Sequence, residues 1–577
     1  MNTTQPGSGS IRRRAVETRA VAWLAARRSL IDPDNAAPDG VLFARKALIE
    51  TAFLVGLRAR LDPDPLDEDY AALLDQVQTV TARPSYRELV ARDEAGLLLY
   101  AGTYAALRLC GRDDPRFRLA IEQAVAGGYA TVFERIPYRQ LDLLHTLQLC
   151  GIEHTLPALD DVLPFTLLCN SPNVIKLTDG DIYAITHTIF YATDFGLRVP
   201  RWPRGFDPGD TVELLEALLV LTRSRANADL VGELLCCLLC LGVRDSGEAD
   251  LAWHFLASVQ EADGRVNGPP GIVHPQLAEG DNEYQHWATG YHTTIVAALA
   301  ALLDRGSTTV RGPRPAAPEA RLDLEQPIRR AVVWLGDTSV RHSPDRGLHA
   351  AAAAAYAATA VGEPDLARPA LQHFAELLAD ADPDVWQESG METVGEFAAG
   401  LRTLGIACAS LDAFLTSTAT VLGQLETVPP QAARGIHCLA DLGLIPHRRA
   451  AALTAEAAFA RQTAPEAVAA RLPDAWRQYH LGQVAGIIRE LARAGWAEHR
   501  VTRDALAFLL AQQSTGGAFG HPAHDAPETR ERARLSWTQS VLTALATAHL
   551  RSVAPHSDRG APAPTVPSRP PRPCLGC

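Results

Sequence analysis

Long apolar runs are the first thing missing from this chain of 577 residues. The longest, around Leu234 to Val243, falls far short of the roughly 20 residues a helix needs to cross a bilayer, so no membrane span is expected. No apolar signal-peptide core follows Arg12, Arg13 and Arg14, which lead instead into an amphipathic segment. Lysine is scarce and the formal charge is −13. Phosphate binding needs concentrated Lys and Arg, so this balance speaks against a nucleic-acid partner. The ten cysteines make no secreted framework, because Cys110, Cys150, Cys236, Cys237, Cys240 and Cys408 sit inside apolar helical runs, where a reducing cytoplasm suits them better. Also missing are a Gly-rich phosphate loop, a nucleophile elbow and an HExxH zinc motif.

What is there is helix-forming sequence. Segments such as AGLLLYAGTYAALRLCG, DLVGELLCCLLCLG and TTIVAALAALLD are rich in Ala and Leu, show little β-branched alternation, and repeatedly end on Gly. An all-α fold follows. Residues 1–12 and the Pro- and Arg-rich stretch 552–577 read as disordered tails. The terminal CLGC reads as chance sequence rather than a prenylation box, since its last residue is atypical.

The two halves resemble each other in order. AVAWLAARRSLIDPD pairs Trp23 with Trp334 of AVVWLGDTSVRHSPD. YATDFGLRVP pairs Asp194 and Gly196 with Asp441 and Gly443. FLASVQEADGRVNG pairs Gln260 and Gly264 with Gln513 and Gly517, and GYHTTIVAALAAL pairs Tyr291 with Trp537. A duplicated unit is expected, at 13–305 and 325–551, joined by a linker at 306–324. The motif of a helix ending in Gln, a turn with Asp263-Gly264 or Gly516-Gly517, and a second helix opening with an aromatic and Thr or Ser resembles the repeat of squalene cyclases and protein prenyltransferase β subunits. That resemblance implies α/α toroids with a central cavity. The first half, through THTIFYATDFG (186–196), DLVGELLCCLLCLG (229–242) and YHTT (291–294), also resembles an uncharacterised domain family of actinobacteria, which implies no established activity.

Buried polar groups need partners, and three lie in helices too apolar to be exposed. On KLTDGDIYAITHTIFYATDFGLRVP, residues Tyr183, His187, Tyr191 and Asp194 fall near one helical meridian. Asp194 sits against the negative end of the helix dipole and wants an arginine or a backbone amide; a role behind His187 suits it better than shared chelation. Glu233 is the sole charge between Leu230 and Val243, so it must be paired, protonated or metal-bound. Asp229, one turn earlier, reads either as its partner or as a helix-start residue. His292 completes the set. Two imidazoles and a carboxylate form a known facial arrangement for iron, zinc or manganese, which puts His187, Glu233 and His292 forward as ligands. Two alternatives stay open: a metal-free cavity in which His187 and His292 act as acid and base, and a satisfied structural network. In the second half His187 aligns with Arg434 and His292 with Thr538, so any site belongs to the first.

The expected function is a cytoplasmic enzyme of specialised metabolism, a cyclase or a metal-assisted enzyme acting on a peptide or small molecule, with His187, Tyr191, Asp194, Glu233 and His292 at its centre. A terpenoid or prenyl-group enzyme is the second reading, weakened because DPDPLDEDY (62–70) lacks the DxDD acid of class II terpene cyclases and because aromatics are only 6% of the chain, thin for holding carbocations. A noncatalytic helical scaffold that binds a peptide partner is the third. Lanthipeptide cyclases share the toroid, but their Cys-Cys-His zinc motif has no match here, and fold alone does not carry function.

Overall fold

The computed structural model describes residues 8–36, 40–269, 282–306, 312, 322–422, 424–428, 436–437, 439–440, 443–460, 464–523 and 526–553. Among these every regular element is a helix, as the composition implied, and the extended structure amounts to two isolated bridges. No described helix is long and apolar enough to cross a membrane. Arg434, Asp441 and most of both tails and of the expected linker lie outside the described residues. Two compact units result: Met1–Arg321 with Ala469–Gln478, and Leu322–Val468 with Tyr479–Cys577.

Unit 1 contains α1 (Ser8–Ala26), α2 (Val41–Leu61), α3 (Glu68–Thr81), α4 (Pro84–Arg92), α5 (Leu97–Leu109), α6 (Pro115–Ala126), α7 (Pro137–Cys150), α8 (Leu159–Val162), α9 (Asp179–Thr193), α10 (Pro208–Ser224), α11 (Ala228–Cys240), α12 (Gly247–Val259), α13 (Asn282–Ala288) and α14 (Tyr291–Arg305). Six of them pack in a closed circuit, α2 on α5, α5 on α7, α7 on α9, α9 on α11, α11 on α14, and α14 back on α2. Their side chains show that they run in one direction. Tyr291 meets Phe43 near the starts of α14 and α2, while Gly306 reaches Leu61 past their ends. Gly102 faces Ile49 and Gly56 faces Ala106. Tyr138 and His145 of α7 meet His187 and Tyr191 of α9 in order, Tyr183 and Thr186 of α9 meet Asp229 and Glu233 of α11, and Asp229 and Cys236 of α11 meet Thr293 and Val296 of α14. The remaining helices are the return segments; α1, α3, α6, α10 and α12 each pack on a member of the circuit.

One corner is built alike in both units. Gln260 pairs with Val266 and Gln513 with Phe519 in the two bridges. Each glutamine amide donates to two carbonyls, Gln260 to Val16 and Gly264, Gln513 to Pro327 and Gly517. Gly264 and Gly517 are left-handed (φ +103° and +100°), and a Cβ on either would collide with the carbonyl of Arg19 or Arg330, so only glycine fits. The amides of Val266 and Phe519 then donate to Thr294 and Thr538, each at 2.9 Å. This corrects the alignment of the two halves. Thr538 corresponds to Thr294, not to His292, whose counterpart two residues earlier is Ser536. In unit 2, Glu325–Ser339, Met391–Leu404 and Pro527–Val553 all pack on Pro344–Ala360, whose Ala350 to Ala355 are all buried.

Candidate metal centre

Two helices of the circuit bring the acids and the imidazole together. On α11, Asn227 caps the helix by accepting from the Leu230 amide at 3.1 Å, so Asp229 is not the cap and its carboxyl turns inward. Asp229 and Glu233 are one turn apart on the same face, and both are buried. Gly232 between them lets α14 approach closely, for a Cβ there would lie 2.6 Å from Val296. That approach sets His292, second residue of α14, against both acids: its Nε2 is 3.6 Å from Asp229 Oδ1 and 3.7 Å from Glu233 Oε1. One donor atom from each of Asp229, Glu233 and His292 falls within 4.8 Å of the others.

Each of the three is held by a second group. His292 Nδ1 donates to Glu50 Oε2 of α2 at 3.1 Å, which orients the ring and leaves Nε2 pointing at the acids. Tyr183 and Thr293 donate to the two oxygens of Asp229 at 2.5 and 2.9 Å. Thr186 donates to Glu233 Oε2 at 2.5 Å, leaving Oε1 facing His292. Carboxylate behind histidine, and hydroxyls behind carboxylates, are the outer partners that metal ligands use to fix their orientation.

The charges are coupled. Burial alone would raise the Glu50 carboxyl, but the His292 imidazolium and Lys46 bring it down to about 2. Burial would likewise push His292 down, yet the charges of Glu50 and Asp229, and the bonds it gives to Glu233 and Glu50, hold it well above the ordinary histidine range. Glu233 is drawn below the usual carboxyl range against its burial by His187 and His292 and by bonds from His292 and Thr186. Three carboxyl groups thus converge on one imidazolium.

His187 stands beside this set rather than in it. Its Nδ1 donates to the Tyr183 carbonyl at 2.8 Å and lies 3.6 Å from Glu233 Oε2. Since a carbonyl only accepts, Nδ1 carries the hydrogen and a neutral ring has its lone pair on Nε2. Tyr138, Tyr183, Phe190 and Tyr191 surround the ring with centroids 5.8 to 6.2 Å away. The side chains of His187 and His292 keep 24% and 30% of their surface in contact with solvent, although both belong to helices of the circuit, so solvent reaches them there.

The other expected residues make contacts of their own outside the cluster of Asp229, Glu233 and His292. Asp194 is not on the meridian of His187. Helix α9 ends at Thr193, and Asp194 is its C-terminal cap in the left-handed conformation (φ 47°, ψ 52°). Its carboxylate accepts two bonds from Arg60, 2.8 and 2.6 Å, and one from His145 Nε2, 2.8 Å; despite burial these hold it down to about 2. This is the arginine partner that the dipole argument asked for. Tyr191 leans on Asp142, whose carboxyl burial pushes up against the pull of His187 and Arg139. Asp181 is a half-buried member of the cap of α9, exchanging bonds with Thr178. Cys236, Cys237 and Cys240 are free, buried core residues. Sequence reasoning missed Glu50, Asp142 and His145.

Residues 17–302, just under half of the chain, match the family model described as "Domain of unknown function (DUF6895)". That stretch holds every residue of the centre described above. No curated protein and no solved structure matches the chain.

Proposed function

We propose that unit 1 is an α/α toroid, duplicated in degenerate form in unit 2, and that it is a metal-assisted enzyme acting on a small molecule or peptide in the hollow of the helix circuit. The observation that carries this reading is the convergence of Asp229, Glu233 and His292 within 4.8 Å, each with its own supporting bond. Two carboxylate oxygens and one imidazole nitrogen on one side of an ion suit iron, zinc or manganese and leave positions open for substrate or water. Buried carboxyls in excess of their cationic partners also need a further positive charge. Glu50 orients His292, Tyr183 and Thr293 orient Asp229, and Thr186 orients Glu233. His187, with Nε2 as its basic nitrogen and solvent access, takes and returns the proton. Compared with the sequence reading, Asp229 replaces His187 as a ligand and His187 becomes the acid–base group.

Metal analysis of the purified full-length chain tests this. About one equivalent of iron, zinc or manganese per chain is expected, lost in Glu233→Gln and His292→Ala but kept in His187→Ala. A metal-free chain that takes up none of the three ions on titration overturns it.

A further inference from the structure

Arg139 is the least explained charge near the centre. It lies in the first turn of α7, where a cation faces the positive end of the helix dipole and is disfavoured. Its compensation is incomplete. One nitrogen donates to Asp142 at 3.3 Å, a long bond for a charged pair, and the guanidinium lies over the Tyr138 ring at 5.0 Å, with a further bond to Tyr138, and with Tyr191 nearby. A guanidinium has five N–H donors in a planar fork, and 51% of this side chain meets solvent. Tyr138 is also an edge neighbour of His187, at 6.1 Å. The guanidinium carbon therefore lies no more than about 11 Å from the His187 ring. Asp142, beneath Arg139, feels both Arg139 and His187. Arginine, phenol and imidazole thus form one continuous wall, with the two acids and His292 beyond.

Resting on the metal-centre reading above, we infer that Arg139 is a substrate anchor, and that the substrate carries an oxyanion, a carboxylate or a phosphate, which its half-exposed fork takes while the rest of the molecule reaches His187 and the metal. The planar fork matches the spacing of two oxyanion oxygens. The Tyr138 ring lies beneath the guanidinium, which keeps only one long bond to Asp142. Asp142 neutralises the site when it is empty and yields when a stronger oxyanion arrives. A peptide C-terminus and a small organic acid share the first chemistry, and a phosphorylated metabolite carries the second.

The experiment is calorimetric titration of the full-length, manganese-loaded chain with succinate and, separately, inorganic phosphate, in wild type, Arg139→Gln and Arg139→Lys. One of the two anions is expected to bind, which identifies the oxyanion. Arg139→Gln should weaken it at least about tenfold, as expected for loss of a charge-assisted pair, and Arg139→Lys should restore part of that loss. Manganese affinity should stay within about twofold of wild type in both variants. Should the chain take up no metal, the same titration on the metal-free chain separates the two ideas, since a tenfold loss in Arg139→Gln would uphold the anchor after the metal centre has failed. Failure of wild type to bind either anion, or equal binding by wild type and Arg139→Gln, overturns the anchor.

Discussion

Replacing Glu50 by glutamine removes one charge and almost no volume, and its effect on stability should depend on pH in a way that packing cannot imitate. The Glu50 carboxyl sits at about 2 rather than at 4.5. At about 1.4 kcal/mol per pH unit, that preference of the folded state for the ionised form is worth about 3 kcal/mol. The sign follows from the direction. A depressed carboxyl contributes stability above its unfolded value and loses it as pH falls through the folded one, so the contribution is full above about pH 4.5 and gone near pH 2. Glu50→Gln should therefore lower the melting temperature of unit 1 at pH 6 by roughly 6 °C, taking about 2 °C per kcal/mol for a body of this size. At pH 3, between the folded and unfolded values, the difference should have fallen to rather less than half of that. Differential scanning calorimetry of the full-length chain at both pH values reads it. An equal loss at pH 3 and pH 6 would mean that Glu50 matters for its shape, and the charge coupling to His292 would be refuted.

Three other outcomes follow from the same geometry. His292 is held protonated in the ion-free centre, so an entering metal must displace the Nε2 proton; calorimetry in buffers of different ionisation enthalpy should show about one proton released per ion, with affinity rising with pH. Asp194→Asn should cost about 2 kcal/mol by chemical denaturation, because it unpairs Arg60 and His145, while metal affinity stays unchanged. Gly264→Ala and Gly517→Ala should each destabilise their own unit severely, by about 3 kcal/mol or more, since both force a left-handed alanine onto a carbonyl; thermal melts of the two variants should show different units affected.

The helices were legible because their signals are local: Ala- and Leu-rich runs with little β-branched alternation, and glycine stops. A ring of helices was implied only by the toroid resemblance and not by any local signal, since the circuit rests on contacts such as Gly102 with Ile49 and Gly306 with Leu61, which link distant parts of the chain. Polar residues stood out only against an apolar background. His187, Glu233 and His292 were noticed for that reason, and the structure sets them next to one another. Glu50 did not stand out, because Lys46 one turn earlier makes the two look like an ordinary surface pair, and they do form one, at 3.5 Å. Asp229 was ambiguous because the first turn of a helix is where an aspartate needs no explanation. Asp194 was noticed for a sound reason, its place against the helix dipole, but the partner that answers it, Arg60, is 134 residues away in sequence. The shared corner at Gln260 and Gln513 was visible as a motif, whereas the two-residue slip between Thr294 and Thr538 was not, because Ala-rich helices align almost equally well in neighbouring registers.

The most direct measurement is anomalous diffraction at the zinc edge from crystals of the full-length chain soaked in zinc. A single strong peak is expected about 2.0 to 2.2 Å from Asp229 Oδ1, Glu233 Oε1 and His292 Nε2, with Glu50 still bonded to His292 Nδ1. Crystals that show no peak between those three side chains, with the His292 ring still facing both acids, would contradict the proposed centre.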